Sequence, residues 1–318
     1  MQLSNAVIEH SNDQADNLRR IISPKPLKII AISSGKGGVG KTNISINLAL
    51  SMAKQGKEVM LLDADLGLAN IDVLLGLNTE YDLSHVISGE RTLEEIIVDG
   101  PENIKIIPAS SGINKMANLT PAEQVGLINA FSDLGHVVDV LIIDTGAGIS
   151  DTVTNFCKAS QDVIVVVHDE PASITDAYAF IKVMSKKHCV NRFHVLANMA
   201  HNVNEGRALF KKLTKATDRF LDVILTFTGT VPYDEKLRKS VQHQKAVVQA
   251  FPRSPSALAF KRITRQINSW PEGTMEATGQ STGQLKFFVE RLIQSEMIRN
   301  DLSQIATVQT AVIPQEAY

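Results

Sequence analysis

An apolar run from Leu27 to Ser33 breaks off at Ser34-Gly35-Lys36-Gly37-Gly38-Val39-Gly40-Lys41-Thr42, and apolar periodicity resumes at once as Ile44, Ile46, Leu48 and Leu50. A glycine-rich loop between a buried strand and a helix start fits the pattern G-x-x-x-x-G-K-[ST] in the context that gives it meaning. Gly35, Gly37, Gly38 and Gly40 allow successive backbone N–H groups to point inward at phosphate oxygens, and the helix start adds its positive end. Lys41 supplies a point charge for the β- and γ-phosphates, and Thr42 a hydroxyl ligand for Mg²⁺. Val39 and Asn43 complete the loop's contact with a nucleotide. The bland alternative, a glycine-rich turn with an incidental lysine, does not explain the strand and helix on either side.

The rest of the chain repeats the strand-then-helix theme. Strands are predicted at Leu27 to Ser33, Glu58 to Asp65, Asn103 to Pro108, Asp139 to Asp144, Asp162 to His168, Arg192 to Asn198 and Thr226 to Tyr233. Several are apolar throughout, as Val163 to Val167 is, which is what a strand covered by helices on both faces requires. The expected fold is α/β, a doubly wound and mostly parallel sheet with its site at the carboxyl ends of the strands. Five segments follow from composition: a polar arm over 1–26, the α/β domain over 27–270, a Gly- and Thr-rich linker over 271–283, an amphipathic helix over 284–299, and a tail over 300–318.

A nucleotide with Mg²⁺ needs carboxylates beside its γ-phosphate. Asp144 closes the apolar strand Leu141-Ile142-Ile143 and is placed to hold the metal through water. Asp63 and Asp65 alternate at another strand end and so point the same way while the strand lasts. One can support Mg²⁺, the role given to Asp63, while Asp65 orients the attacking water. A helix cap or turn is the alternative for any one of the three.

Lys36 is surplus, since the loop already has its phosphate lysine in Lys41. Lys36-Gly37-Gly38-Val39-Gly40-Lys41-Thr42 resembles the deviant Walker A motif of the MinD/ParA ATPases, a resemblance that covers about Leu27 to Arg265. It implies a P-loop fold, ATP hydrolysis, and a sandwich homodimer in which Lys36 reaches the partner's nucleotide. It also implies that Asp65 is the switch I catalytic aspartate, that Asp144-Thr145-Gly146-Ala147-Gly148 runs from Walker B into switch II, and that Asn198 and Pro232 flank adenine. A turn role is the local alternative for those last two.

Three stretches are similar to the flagellum-number regulators of that family, the FlhG or FleN branch. Asp13-Gln14-Ala15-Asp16-Asn17-Leu18-Arg19 looks like the motif by which the branch stimulates an FlhF-type GTPase, which gives Asp13, Gln14, Ala15, Leu18 and Arg19 a partner-binding role. The run from Asp144 to Gly148 has glycine where MinD usually has proline. Glu170 to Tyr178 looks like a segment of the same branch, although His168-Asp169 before it departs from the Thr-rich sequence expected there. Flagellar C-ring proteins and a flagellar transcriptional activator are further partners the resemblance implies. MinD-like septum placement and ParA-like DNA partition are the alternatives.

In a helical register Leu285, Phe288, Val289 and Leu292 share one face, with Phe287 and Ile293 at its edge. Such a helix can lie in a membrane interface, tightly only when two copies act together; docking on its own domain is the other use of the same face. No secretory signal and no apolar run of about 20 residues is present, so a cytoplasmic protein, reversibly peripheral on the inner face of the cytoplasmic membrane, is expected. A formal net charge of −2 gives no reason to expect nucleic-acid binding. Cys157 and Cys189 form no metal or disulfide spacing and are expected to be buried thiols.

Overall fold

The computed structural model describes residues 27–65, 70–108, 119–134, 138–271 and 285–295. Eight strands form one sheet in the order β3-β4-β2-β5-β1-β6-β7-β8. They are β1 (Lys28–Ser34), β2 (Val59–Ala64), β3 (Val98–Asp99), β4 (Lys105–Pro108), β5 (Val140–Ala147), β6 (Asp162–His168), β7 (Arg192–Ala200) and β8 (Ile224–Pro232). All seven predicted strands are present with ends shifted by up to three residues, and β5 continues past Asp144 to Ala147. The short β3 was not foreseen. It is the one antiparallel member, pairing Val98 with Ile106 and Asp99 with Lys105, and two residues are too few to show a period.

The pleat explains the continuous apolar runs. Ile30 and Ile32 of β1, Val140 and Ile142 of β5, and Ile164 and Val166 of β6 enter a core on one face, with helices α1 (Lys41–Ala53), α10 (Val247–Ala250) and α11 (Pro255–Asn268). The alternate residues enter two cores on the opposite face. Val163, Val165 and Val167 meet α6 (Asp151–Ala159), α7 (Pro171–His188) and α8 (Val203–Asp218). Leu141 and Ile143, with Ile29 of β1 and Leu62 of β2, meet α3 (Leu83–Ile87), α4 (Leu93–Ile96) and α5 (Pro121–Leu134). Two further helices, α2 (Ile71–Leu75) and α9 (Glu235–Gln242), complete the domain. The starts of α9 and α11 are written locally: Asp234 accepts from the N–H of Lys236 before α9, and Ser254 accepts from the N–H of Ala257 before α11.

Residues 285–295 form a last helix, α12. Its apolar face does not look outward. Leu285, Phe288, Val289, Leu292 and Ile293 are between 1% and 3% exposed and join the core over β1, β2 and β5. Phe288 lies 6.4 Å from the ring of Phe156 in α6, while Phe287 stays half-buried beneath Arg291. Gln284 and residues 296–299 of the expected helix lie outside the described residues, as do the heptad from Asp13 to Arg19, most of the linker and the tail. Cys157 is buried as expected, but Cys189 is exposed. It ends α7 in the left-handed conformation, with φ 58°, at a turn that faces solvent.

Candidate functional site

The loop after β1 lies at the middle of the sheet, between β5 and β6. Gly40 precedes α1 with φ 91° and offers no side-chain cap. The first-turn N–H groups of α1 are therefore left to an external acceptor, and an anion is the natural one. At Gly35 the constraint is space, because a Cβ there would stand 2.1 Å from the backbone carbonyl carbon of Asp176 in α7. Lys41 opens α1 and is only 7% exposed. Burial lowers its pKa, against the opposing pull of Asp144 and Asp65.

Asp144 sits at the floor of the loop, fully inside the protein. Its Oδ1 accepts 2.8 Å from the hydroxyl of Ser45, whereas its Oδ2 is buried with no partner. Burial raises its pKa to about 7, against hydrogen bonds from Thr42 and Ser45. A buried carboxylate oxygen without a donor, beside a threonine hydroxyl at the start of a phosphate-binding helix, fits a hard divalent cation. Asp144 and Thr42 are the residues that would hold Mg²⁺, and the cation would neutralise charge on the phosphates.

Asp63 takes a different part. Its Oδ1 accepts from the N–H of Asp65 at 3.3 Å, and its Oδ2 accepts from the N–H groups of Asn70 and Ile71 at 3.2 and 3.3 Å. The carboxylate anchors the chain that leaves β2, and burial raises its pKa to about 6 despite those bonds. Asp65 lies beyond the last residue of β2, so strand alternation does not set its direction. It approaches the segment after Asp144 instead: a Cβ at Gly146 would stand 3.4 Å from Asp65 Oδ1.

The two loop lysines occupy different surroundings. Lys36 is partly exposed and its Nζ lies 3.1 Å from Oε2 of Glu170, the residue before α7. His168 Nε2 is 3.6 Å from the other oxygen of Glu170, and His168 Nδ1 is 3.2 Å from the carbonyl of Asn198. Lys36 holds the Glu170 carboxyl below the usual carboxylate range. Sequence reasoning did not foresee this acceptor, 134 residues away in the chain. It missed Ser45 too, though Ser45 lies one helical turn after Lys41 and could have been found by that spacing.

Asn198 and Pro232, at the ends of β7 and β8, line one cavity of about 280 Å³ with Gly40, Asn43, Met199 and Tyr233. The cavity opens beside the start of α1, where a base would lie if phosphates occupied the loop. Asn198 is 6% exposed, and its amide donates to the carbonyl of Val39 at 2.7 Å. One N–H of the amide expected to flank adenine thus braces the loop.

A phosphate cradle of this form at the centre of a parallel sheet defines the P-loop NTPases, and the chain is an ATPase of that class. Residues 26–268 match the family described as ParA, the NUBPL iron-transfer P-loop NTPase. The chain belongs to the MinD/ParA family of P-loop ATPases. It is 53% identical over 277 residues to the antiactivator FleN of Pseudomonas aeruginosa, which covers 87% of this chain and 97% of that protein. Identity to the flagellum site-determining protein YlxH of Helicobacter pylori is 36% over 295 residues, covering 89% of this chain and 99% of the relative. The septum site-determining protein MinD of Pyrococcus horikoshii, solved with Mg-ADP, shares the fold with a TM-score of 0.60 at 24% identity, over 76% of this chain and 96% of that one. The homology is thus to flagellar regulators as well as to the wider ATPase family. Among the described residues no helix is long and apolar enough to cross a membrane.

Proposed function

We propose that the chain is an ATP-switched regulator of flagellum number and placement, which dimerises on ATP, acts in the dimeric state and is reset by hydrolysis. The observation that carries this reading is the separation of the two loop lysines. Lys41 is buried under its own phosphate site, whereas the Lys36 side chain is 40% exposed and, among the described residues, its Nζ is tied to the exposed carboxylate of Glu170. An exposed ion pair is easily exchanged in water, so Lys36 is free to serve a second copy's nucleotide. In this reading ATP and Mg²⁺ occupy the loop, with Asp65 orienting the attacking water, Asp144 and Thr42 on the metal, and Asn198 and Pro232 beside adenine. Asp63 supports the metal by holding the loop after β2. The likeness to FleN and YlxH supports the flagellar setting. The heptad from Asp13 to Arg19 supports stimulation of an FlhF-type GTPase.

The docked α12 gives the membrane part of the switch a physical form. Its apolar face cannot lie on the protein core and in a bilayer at once. The wall of its groove is α6, which begins directly after the segment from Thr145 to Ser150 that follows Asp144. A rearrangement of that segment on ATP binding and dimerisation would move Phe156 away from Phe288 and release the helix. Size-exclusion with light scattering, in ADP and in ATP and with or without anionic liposomes, tests the whole scheme. A dimer and liposome binding are expected with ATP alone; a monomer in both nucleotides overturns it.

A further inference from the structure

The net charge of −2 hides a strong segregation. Between positions 70 and 108, which supply α2, α3, α4, β3 and β4, there are 8 Asp and Glu against 2 Lys and Arg. Between positions 203 and 268, which supply α8, β8, α9 and α11, there are 13 Lys and Arg against 5 Asp and Glu. The strand order puts β3 and β4 of the first segment at one edge of the sheet and β8, with α8 beside it, at the other, while the residues between α9 and α11 cross back to the acidic segment, where Gln244 donates to the carbonyl of Val73. Among the described residues the sheet is thus acidic at its β3 edge and basic along α8 and β8 at the other.

The basic edge is built in an orderly way. Arg207, Lys211, Lys215 and Arg219 recur every fourth residue, so they form one row winding slowly over the outer surface of α8, opposite its buried Leu209 and Leu213. On the other side of β8, α11 presents Lys261, Arg262 and Arg265, all exposed. Gln266 of the same helix donates to the carbonyl of Phe227 at 3.1 Å, which places that helix flank along the strand's edge. Lys212 alone among the basic residues of α8 is ion-paired within the described residues, with Asp169 at 2.9 Å. At the corner where α8 turns into β8, Phe220 and Ile224 are 61% and 60% exposed, with the Arg219 guanidinium 5.2 Å from the Phe220 ring.

We propose that this edge is a docking surface for an anionic lipid bilayer and supplies the electrostatic half of membrane attachment. The inference rests on the membrane-switch reading given above. Phosphate of a nucleic acid would match the positive row equally well, but it gives no reward for Phe220 and Ile224, whereas a bilayer interface accepts both kinds of group. A second signal is also what the helix needs. One weak apolar anchor gives marginal, reversible binding, and α12 must in addition leave its core before it inserts. The acidic edge, repelled by the same lipids, turns the far end of the sheet away and fixes orientation.

The test uses the full-length protein with ATP and Mg²⁺, and vesicles of phosphatidylcholine alone or with phosphatidylglycerol. Wild type should prefer the phosphatidylglycerol vesicles, with a preference that fades as salt rises. Lys211→Glu, Lys215→Glu and Arg219→Glu combined should weaken that binding by at least about 100-fold, since each cation near such a surface contributes about fivefold. The Gln triple should fall between, and melting temperature and ATP turnover in solution should not change. No preference for phosphatidylglycerol, or undiminished binding by the Glu triple, overturns the proposal. So does tight binding of random duplex DNA that the triple loses while keeping vesicle binding, which would assign the edge to nucleic acid. Charge-dependent binding that is the same in ADP as in ATP would instead remove the switch reading and leave the edge standing.

Discussion

Lys36 and Lys41 are five positions apart and differ in every property that matters to their chemistry. Lys41 is buried above Asp144, so Lys41→Ala should abolish nucleotide binding itself. Lys36→Ala should leave monomeric binding near wild type and suppress ATP-dependent dimerisation and turnover, as a nucleotide titration beside light scattering will report. Asp65→Ala should bind ATP normally and hydrolyse it at least on the order of 100-fold more slowly, the usual loss when a positioned base or water-orienting group is removed. Phosphate release at the wild-type rate would take Asp65 out of the chemistry. Asp144 carries a pH prediction. Its folded-state pKa of about 7 lies above the ordinary carboxyl value near 3.8. Its contribution to the metal-free fold is therefore present at low pH and is lost as pH rises through about 7. Mg²⁺ needs the ionised form, so apparent Mg²⁺ affinity should fall as pH is lowered below about 7, with a proton released on binding. Calorimetry in buffers of different ionisation enthalpy measures that proton directly, and Asp144→Asn should abolish it together with Mg²⁺ binding.

Among the elements, α12 is the one whose sequence admits two destinations. Five buried side chains could each contribute about 1.5 to 3 kcal/mol, an upper figure from which the ordering of helix and linker subtracts. The cost of damaging the face is capped, because α12 can leave its groove while the rest stays folded. Phe288→Ala should lower stability by no more than about 3 to 5 kcal/mol, and by less if undocking intervenes first. Phe288→Glu should abolish ATP-dependent liposome sedimentation while leaving the soluble dimer intact, because a charge in the middle of the face opposes insertion. Unchanged sedimentation would leave α12 with a docking role alone. The apolar period of α12 was readable in the chain; its groove was not, since the cluster that Phe288 joins beside Phe156 of α6 also draws on Met60 of β2 and Leu141 of β5.

Over the whole molecule, the polar arm and the ATPase domain have separable tasks. A peptide of residues 1–26 should stimulate GTP hydrolysis by an FlhF-type GTPase, and Gln14→Ala or Arg19→Ala should reduce the effect. The measurement is phosphate release from the purified GTPase. Absence of stimulation by both the peptide and the full-length protein would favour a septum-placing role over the flagellar one. The charge segregation along the sheet belongs to this scale too. It comes from the order of strands in the sheet, which no local window of sequence contains.

What the chain determines by itself is local: a glycine loop between strand and helix, apolar strand runs that reach Asp63 and Asp144, and helix starts at Asp234 and Ser254. Each depends on residues within a few positions of one another, where backbone geometry alone dictates the outcome. Tertiary structure decides what distant segments do on meeting. Asn198 closes on Val39 across 159 residues, Glu170 takes Lys36, the apolar face of α12 is buried, and Asp63 accepts from the N–H groups of Asp65, Asn70 and Ile71. Such contacts depend on which strand lies beside which and on how far each strand runs, and these are set by packing on both faces of the sheet.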